Sequence, residues 1–287
     1  MFRTALAAVF LLSAVPVFGE KPAGTEKIVF VLAGQSNMVG QGNTGELAPE
    51  LKTTPPNVEY YLDGKRTDFA HQSTFGPEVA FSHELARAYP DKTIVIIKYA
   101  TGGTSLMAWS PEWNAERAAL TWNRFSGHLY ERLMKNIREV NGQPGARYVA
   151  VVWMQGERDA QYREAGRQYA ANLKALVHAL RRDLKSPDLP FVLGLVNPPT
   201  AGYPGLDLVR KAQQEAEKAL PNTALVATDG LTKHRDDLHY DTQGEIELGR
   251  RFAAAVLELR KKSGVKSEET AQSQTGQGTG QPRPSGI

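Results

Sequence analysis

Five short stretches of the chain are almost wholly apolar: residues 28–32, 94–99, 149–154, 191–196 and 224–227. They are rich in Val and Ile and do not alternate with polar residues. That is the pattern of strands buried on both faces of a parallel sheet. Between them, apolar residues recur at helical spacing. Phe81, Leu85 and Tyr89 mark one segment, which opens with Gly76-Pro77, and Leu129, Leu133 and Ile137 mark the next. Tyr169, Leu173, Leu176 and Leu180 mark a third, Val209, Ala212 and Ala216 a fourth, and Leu248, Phe252, Val256 and Leu259 a last. Each segment gathers its apolar residues on one helix face. Strand and helix in alternation predict an α/β fold of three layers, α/β/α, around a central parallel sheet of about five strands. Such a sheet places its ligand sites at the carboxyl ends of the strands.

Both ends of the chain depart from this pattern. Residues 4–18 form an apolar run behind a single basic residue, Arg3, and Val17-Phe18-Gly19 closes it with small residues at signal-peptidase spacing. This reads as a secretory signal peptide cut after Gly19. The run is short for a membrane span of about 20 residues. The expectation is an exported protein, periplasmic or secreted, with no stable membrane span once mature. Residues 263–287 are rich in Gly, Gln, Ser and Thr, with no large apolar side chain beyond Val265 and Ile287. They cannot bury enough surface to offset ordering entropy, so a disordered tail is expected. The organisation is thus a signal peptide 1–19, one domain 20–262 and a tail 263–287.

Charge and composition narrow the chemistry. The formal net charge is only +3, and the basic residues are scattered, so no nucleic-acid groove is expected. There are no cysteines, which excludes disulfides, thiol nucleophiles and cysteine-held metals. No pair among the six histidines has metal-ligand spacing, so neither a metal nor another cofactor is expected. Nothing in the sequence specifies an oligomeric state.

The loops after the strands carry the candidate chemistry. Gly34-Gln35-Ser36-Asn37-Met38 follows the first strand. A serine at a strand-to-helix turn can project its hydroxyl as a nucleophile; the same placement also suits a helix N-cap. The segment lacks the Gly-Lys-Ser/Thr ending of a phosphate loop. After the second strand, Gly102-Gly103 can point backbone N–H groups at an anion, or simply make a tight turn. After the third comes Gln155-Gly156-Glu157-Arg158-Asp159, where the Gln155 amide can serve a developing oxyanion. After the fifth, Asp236 and His239 stand three residues apart, close enough for the carboxylate to orient the imidazole. A nucleophile, oxyanion donors and an acid–base pair together describe acyl transfer.

These four blocks resemble the SGNH hydrolase superfamily, and more narrowly its sialate O-acetylesterase and acetylxylan esterase branch, carbohydrate esterase family six. The Gly76-Pro77-Glu78 and Val209-Arg210-Lys211-Ala212-Gln213 segments also look like that branch. The resemblance runs in order from about residue 28 to residue 252, and the first and third blocks are its specific parts. It implies a flavodoxin-like fold and a serine esterase that needs no cofactor. It implies Ser36 as nucleophile, His239 as base and Asp236 as the acid. It also implies an oxyanion hole of Ser36, Gly103 and Gln155, the last in place of the superfamily's usual asparagine. The implied substrate is an acetylated carbohydrate, either a xylan-type polysaccharide or a sialic acid. A broad acyl esterase and a non-catalytic glycan-binding homologue are the alternatives.

Supporting residues are also expected. Glu157 either supports the histidine or holds the Gln155 loop. Trp109, Trp113 and Tyr240 are candidates to stack on a sugar ring or to pack as a lid. His83, His128 and His178 fall on predicted helices. His234 lacks an acid three residues before it, since Leu231 stands there.

Overall fold

The first apolar run forms β1 (Lys27–Gly34), in which every residue after Lys27 is buried. The computed structural model describes residues 26–141 and 147–275. After β1 come α1 (Ser36–Val39), β2 (Gly42–Asn43), β3 (Val58–Leu62), β4 (Lys65–Thr67), β5 (Thr74–Phe75) and α2 (Glu78–Ala88). There follow β6 (Thr93–Ala100), α3 (Ala115–Ala119), α4 (Leu129–Asn141), β7 (Arg147–Met154), α5 (Glu157–Ala160) and α6 (Arg163–Asp183). The chain continues with β8 (Phe191–Gly194), α7 (Leu206–Ala219), β9 (Thr223–Val226) and α8 (Thr242–Thr275).

The main sheet has seven strands in the order β4-β3-β6-β1-β7-β8-β9. Every neighbouring pair is parallel except β3 with β4. The sequence therefore undercounts the strands. The five it predicts are β1, β6, β7, β8 and β9, and counted among themselves they lie in the flavodoxin-like order 2-1-3-4-5. The extra pair extends one edge. β3 interrupts its apolar residues with Glu59, and β4 reads Lys-Arg-Thr, a short charged strand of the kind that blunts a sheet edge. β2 and β5 form a separate two-stranded ribbon.

Helices cover both faces of the sheet. α2 packs against α8 and α6 against α7. The Tyr130 hydroxyl of α4 donates to Asp183 at the end of α6 at 2.6 Å. Phe30 of β1 meets Phe81 of α2 edge-on, ring centroids 5.7 Å apart.

Two expectations about the ends are corrected or lie out of view. α8 runs on to Thr275, so residues 263–275, expected to be disordered, are helical. Lys266, Glu268, Glu269, Ala271 and Gln272 are good helix formers, and extending a helix already nucleated needs far less than starting one. The predicted signal peptide and residues 276–287 lie outside the described residues.

One buried ion pair supports the region around Ser36. Lys98 on β6 donates to Glu78 at 2.6 Å and to the carbonyl of Val39, the last residue of α1, at 2.9 Å. The other Glu78 oxygen accepts the N–H of Gly76 at 3.0 Å. Both charged side chains are almost wholly excluded from solvent.

Candidate active site

The site stands where the strand order reverses, at the carboxyl end of β1. Gly34 ends the strand with φ 151°, and a Cβ there would lie 2.0 Å from the Met154 carbonyl oxygen of β7. Only glycine lets the two strands close up at this point. The chain then turns directly into α1, which begins with Ser36. The second loop passes over the serine, because a Cβ on Gly102 would stand in ordinary contact, 3.8 Å, with the Ser36 Cβ. Gly103 follows with φ 66° and open space around it, so its left-handed backbone rather than crowding favours glycine.

Side-chain amides tie the loops together. The Gln35 Oε1 accepts the backbone N–H groups of Gly156 at 3.3 Å and Arg158 at 3.2 Å. The Asn37 Nδ2 donates to Glu157 at 2.8 Å and to the Leu238 carbonyl at 3.2 Å, while its Oδ1 accepts the N–H of Tyr240 at 3.2 Å. Asn37, next in the chain to Ser36, thus grips the backbone on both sides of His239.

His239 and Asp236 are joined as expected. The His239 Nδ1 lies 2.7 Å from one Asp236 oxygen. The other accepts the N–H groups of Leu238 at 3.0 Å and His239 at 3.1 Å. Burial pushes the Asp236 carboxyl up, but the hydrogen bonds from the His239 ring and the two N–H groups outweigh it and hold it at about 2. An ionised carboxylate only accepts, so Nδ1 carries the hydrogen and Nε2 is left as the acceptor. Asp237 instead meets Lys233 at 3.2 Å. The rival histidine, His234, places Nε2 3.0 Å from the Gln41 carbonyl.

Several expected residues sit differently. Gln155 is fully buried, and its amide nitrogen faces Asp159 at 2.6 Å, the Thr104 carbonyl at 2.9 Å and Gln35 at 3.2 Å. Two hydrogens are already shared among three interior acceptors, so in this geometry Gln155 ties together the segments that follow β1, β6 and β7. Trp109 has no exposed surface and packs edge-on against Trp153 and Tyr99. Tyr240 is 1% exposed. Neither ring is open to a sugar, because both fill the core beneath the loops. Trp113 is half-buried and stacks on His128. His128 itself stands just before α4 rather than on a helix.

Two buried acids border the site. Burial pushes Glu157 above the ordinary carboxylate range, opposed by its bond from Asn37. Burial likewise pushes Asp159 up to about 7, against hydrogen bonds from Gln155 and from the Leu106 N–H. Sequence reasoning does not single out Asn37 or Asp159. Their positions inside the two specific blocks are visible, but their partners lie far away along the chain.

The site is open. Gly102, Gly103 and Asp236 are exposed and His239 is half-buried. Among the described residues no group of three or more His, Cys, Asp or Glu side chains is gathered to hold a metal, and no helix is long and apolar enough to cross a membrane.

Residues 26–258 match the family of carbohydrate esterases described as sialic acid-specific acetylesterases. The chain belongs to this family. It is 30% identical over 254 residues to a probable carbohydrate esterase of Arabidopsis thaliana, covering 80% of this chain and 90% of the relative. The crystal structure of an Arabidopsis thaliana protein superposes on this esterase with a TM-score of 0.67 at 26% identity, covering 80% of this chain and 98% of that one. A novel carbohydrate acetylesterase from Xanthomonas citri shares the fold, with a TM-score of 0.64 at 19% identity over 80% of this chain and 56% of that one.

Proposed function

We propose that this carbohydrate esterase removes O-acetyl groups from sugar hydroxyls through an acetyl-enzyme on Ser36. The substrate is an acetylated xylan-type polysaccharide or an acetylated sialic acid. The observation that carries the reading is the 2.7 Å contact between His239 Nδ1 and Asp236, on a loop bonded to the residue next to Ser36. It leaves the His239 Nε2 as the acceptor a general base needs, on a loop tied through Asn37 to the turn that carries Ser36.

In this mechanism Nε2 of His239 takes the Ser36 proton as the hydroxyl attacks the acetyl carbonyl. Asp236 fixes the ring and stabilises the imidazolium. The N–H groups of Ser36 and Gly103 receive the oxyanion; one such donor is worth about 2.7–4 kcal/mol in the transition state. His239 then protonates the departing sugar oxygen, which frees the hydroxyl and leaves acetyl on Ser36. Water, deprotonated by His239, attacks the acetyl-enzyme, and acetate leaves as Ser36 regains its proton. No step calls for a metal or an organic cofactor. Residues 1–19 act as an export signal in this reading, which places the domain where glycan esters occur outside the cytoplasm.

The test is acetate release from acetylated xylan and from O-acetylated sialic acid by the purified protein and its Ser36→Ala variant. The proposal expects release from at least one substrate and none from the variant. Folded wild-type protein that releases acetate from neither, while cleaving aryl acetates, would contradict the carbohydrate assignment.

A further inference from the structure

Among the described residues, four large hydrophobic side chains are exposed: Val39, Leu120, Trp122 and Phe125. Val39 is the last residue of α1, the helix that begins with Ser36. The other three crowd into residues 120–125. Trp122 is 79% exposed and Phe125 is 94% exposed. A soluble surface tolerates single apolar residues, but two aromatic rings this open within one short loop call for a partner.

The loop is fastened to the active site. Asn123, next to Trp122, is buried. Its Nδ2 donates to the carbonyl of Gly103 at 3.0 Å, and its Oδ1 accepts the N–H of Ser105 at 2.9 Å. Arg158, in the block that follows β7, donates from Nε to the Thr121 carbonyl at 2.9 Å. The two rings therefore flank a residue bonded to the turn over Ser36, one and two positions away from it. At about 3.8 Å per residue their Cα atoms lie within about 8 Å of that of Asn123. Trp122 also has φ 60°, a left-handed conformation that a bulky side chain rarely adopts. The backbone is anchored on either side, at Thr121 and at Asn123. Arg124, between the rings, is exposed as well.

We propose that Trp122 and Phe125 form a stacking platform for a pyranose ring of the glycan, next to the acetylated sugar held at Ser36. The C–H face of a pyranose is apolar, and its hydroxyl rim needs donors and acceptors. Aromatic rings match the apolar face, and the exposed Arg124 guanidinium supplies donors to the hydroxyl oxygens. A protein partner would want a larger continuous apolar area than one loop offers. The inference rests on the carbohydrate reading above and adds where the chain beyond the ester is bound.

The test uses the Trp122→Gly and Phe125→Ala variants. Glycine suits the left-handed backbone at 122, and the Phe125 ring packs on little, so both variants keep the fold. Each is expected to raise KM for acetylated xylo-oligosaccharide or an O-acetylated sialoglycan by roughly three- to tenfold. Both kcat on those substrates and kcat/KM on p-nitrophenyl acetate stay at the wild-type value. Unchanged KM on the glycans overturns the platform, as does an equal loss on the aryl ester. Tryptophan fluorescence gives a readout independent of turnover. Titrating the same glycans into the Ser36→Ala protein is expected to shift the emission of the exposed Trp122, and Trp122→Gly to abolish the shift. If wild type cleaves aryl acetate but no glycan ester, the carbohydrate reading falls, and the fluorescence titration still decides the platform: no shift with either glycan overturns it.

Discussion

Asn37 donates its side-chain amide to the Glu157 carboxylate at 2.8 Å, in full burial. The same amide nitrogen holds the Leu238 carbonyl, and its oxygen holds the Tyr240 N–H. Glu157 thus fixes which way the Asn37 amide faces, and Asn37 fixes the backbone around His239. The turn that carries Ser36 and the loop that carries His239, some two hundred residues apart in sequence, are pinned by one side chain.

Asn37→Ala is expected to lower kcat by on the order of 100-fold with little change in KM, because an imidazole displaced by about 1 Å loses its line on the serine. Glu157→Gln keeps an acceptor toward Asn37 and is expected to cost less than Glu157→Ala. Steady-state kinetics of the three variants check this. A kcat near wild type in Asn37→Ala would refute the pinning role.

Asp236 and its neighbour Asp237 should separate cleanly. Asp236 faces the histidine, while Asp237 faces Lys233. Asp236→Asn is expected to reduce kcat on the order of 10³–10⁴-fold through the wrong imidazole tautomer. Asp237→Asn should stay within a few-fold. Because the Asp236 carboxyl is depressed to about 2, its charged form is favoured by the fold. Its contribution is present above the ordinary carboxylate pKa and fades only as pH falls toward about 2. Comparing kcat of the two variants on p-nitrophenyl acetate settles the assignment.

The amino-acid pattern alone makes much of the fold and of the site legible. The five inner strands stand out because burial on two faces removes polar residues from both sides of the pleat. The candidate residues of the site stand out because they fall in loops after those strands, where such a sheet places its ligand sites. What escapes depends on contacts between distant residues. Trp109 and Trp122 look alike in sequence, yet one fills the core against Trp153 and the other stands in solvent. Bonds from Asn123 to Gly103 and Ser105, and from Arg158 to Thr121, are what tie the Trp122 loop to the turn over Ser36. Gln155 reads as an oxyanion donor because nothing local shows that Asp159, one helical turn on, takes its amide.

The buried Lys98–Glu78 pair carries a stability prediction. Lys98→Met leaves Glu78 uncompensated in the interior and is expected to destabilise by about 3–5 kcal/mol. Adding Glu78→Gln should restore most of that loss. Denaturant melts of the single and double variants measure it, and additive losses would show that the two charges do not depend on each other.

Asp159 predicts a pH dependence of opposite sign to that of Asp236. Its folded pKa, raised to about 7 by burial, exceeds the unfolded value of 3.8. Between those values the folded protein keeps a proton that the unfolded chain has lost. Stability from this residue therefore falls as pH rises through that window and is level above about 7. Asp159→Asn has no proton to lose there. Its melting temperature relative to wild type should rise between about pH 4 and pH 7. Parallel curves for the two proteins would contradict the assignment.

The proposed mechanism passes through a covalent acetyl group on Ser36. An acid quench of the enzyme turning over p-nitrophenyl acetate, followed by peptide mapping by mass spectrometry, locates the acetyl directly. Acetyl is expected on the peptide that contains Ser36, absent in Ser36→Ala and accumulating when the water-driven second step is outrun. Acetyl on another residue, or sustained hydrolysis by the Ser36→Ala protein, would contradict it.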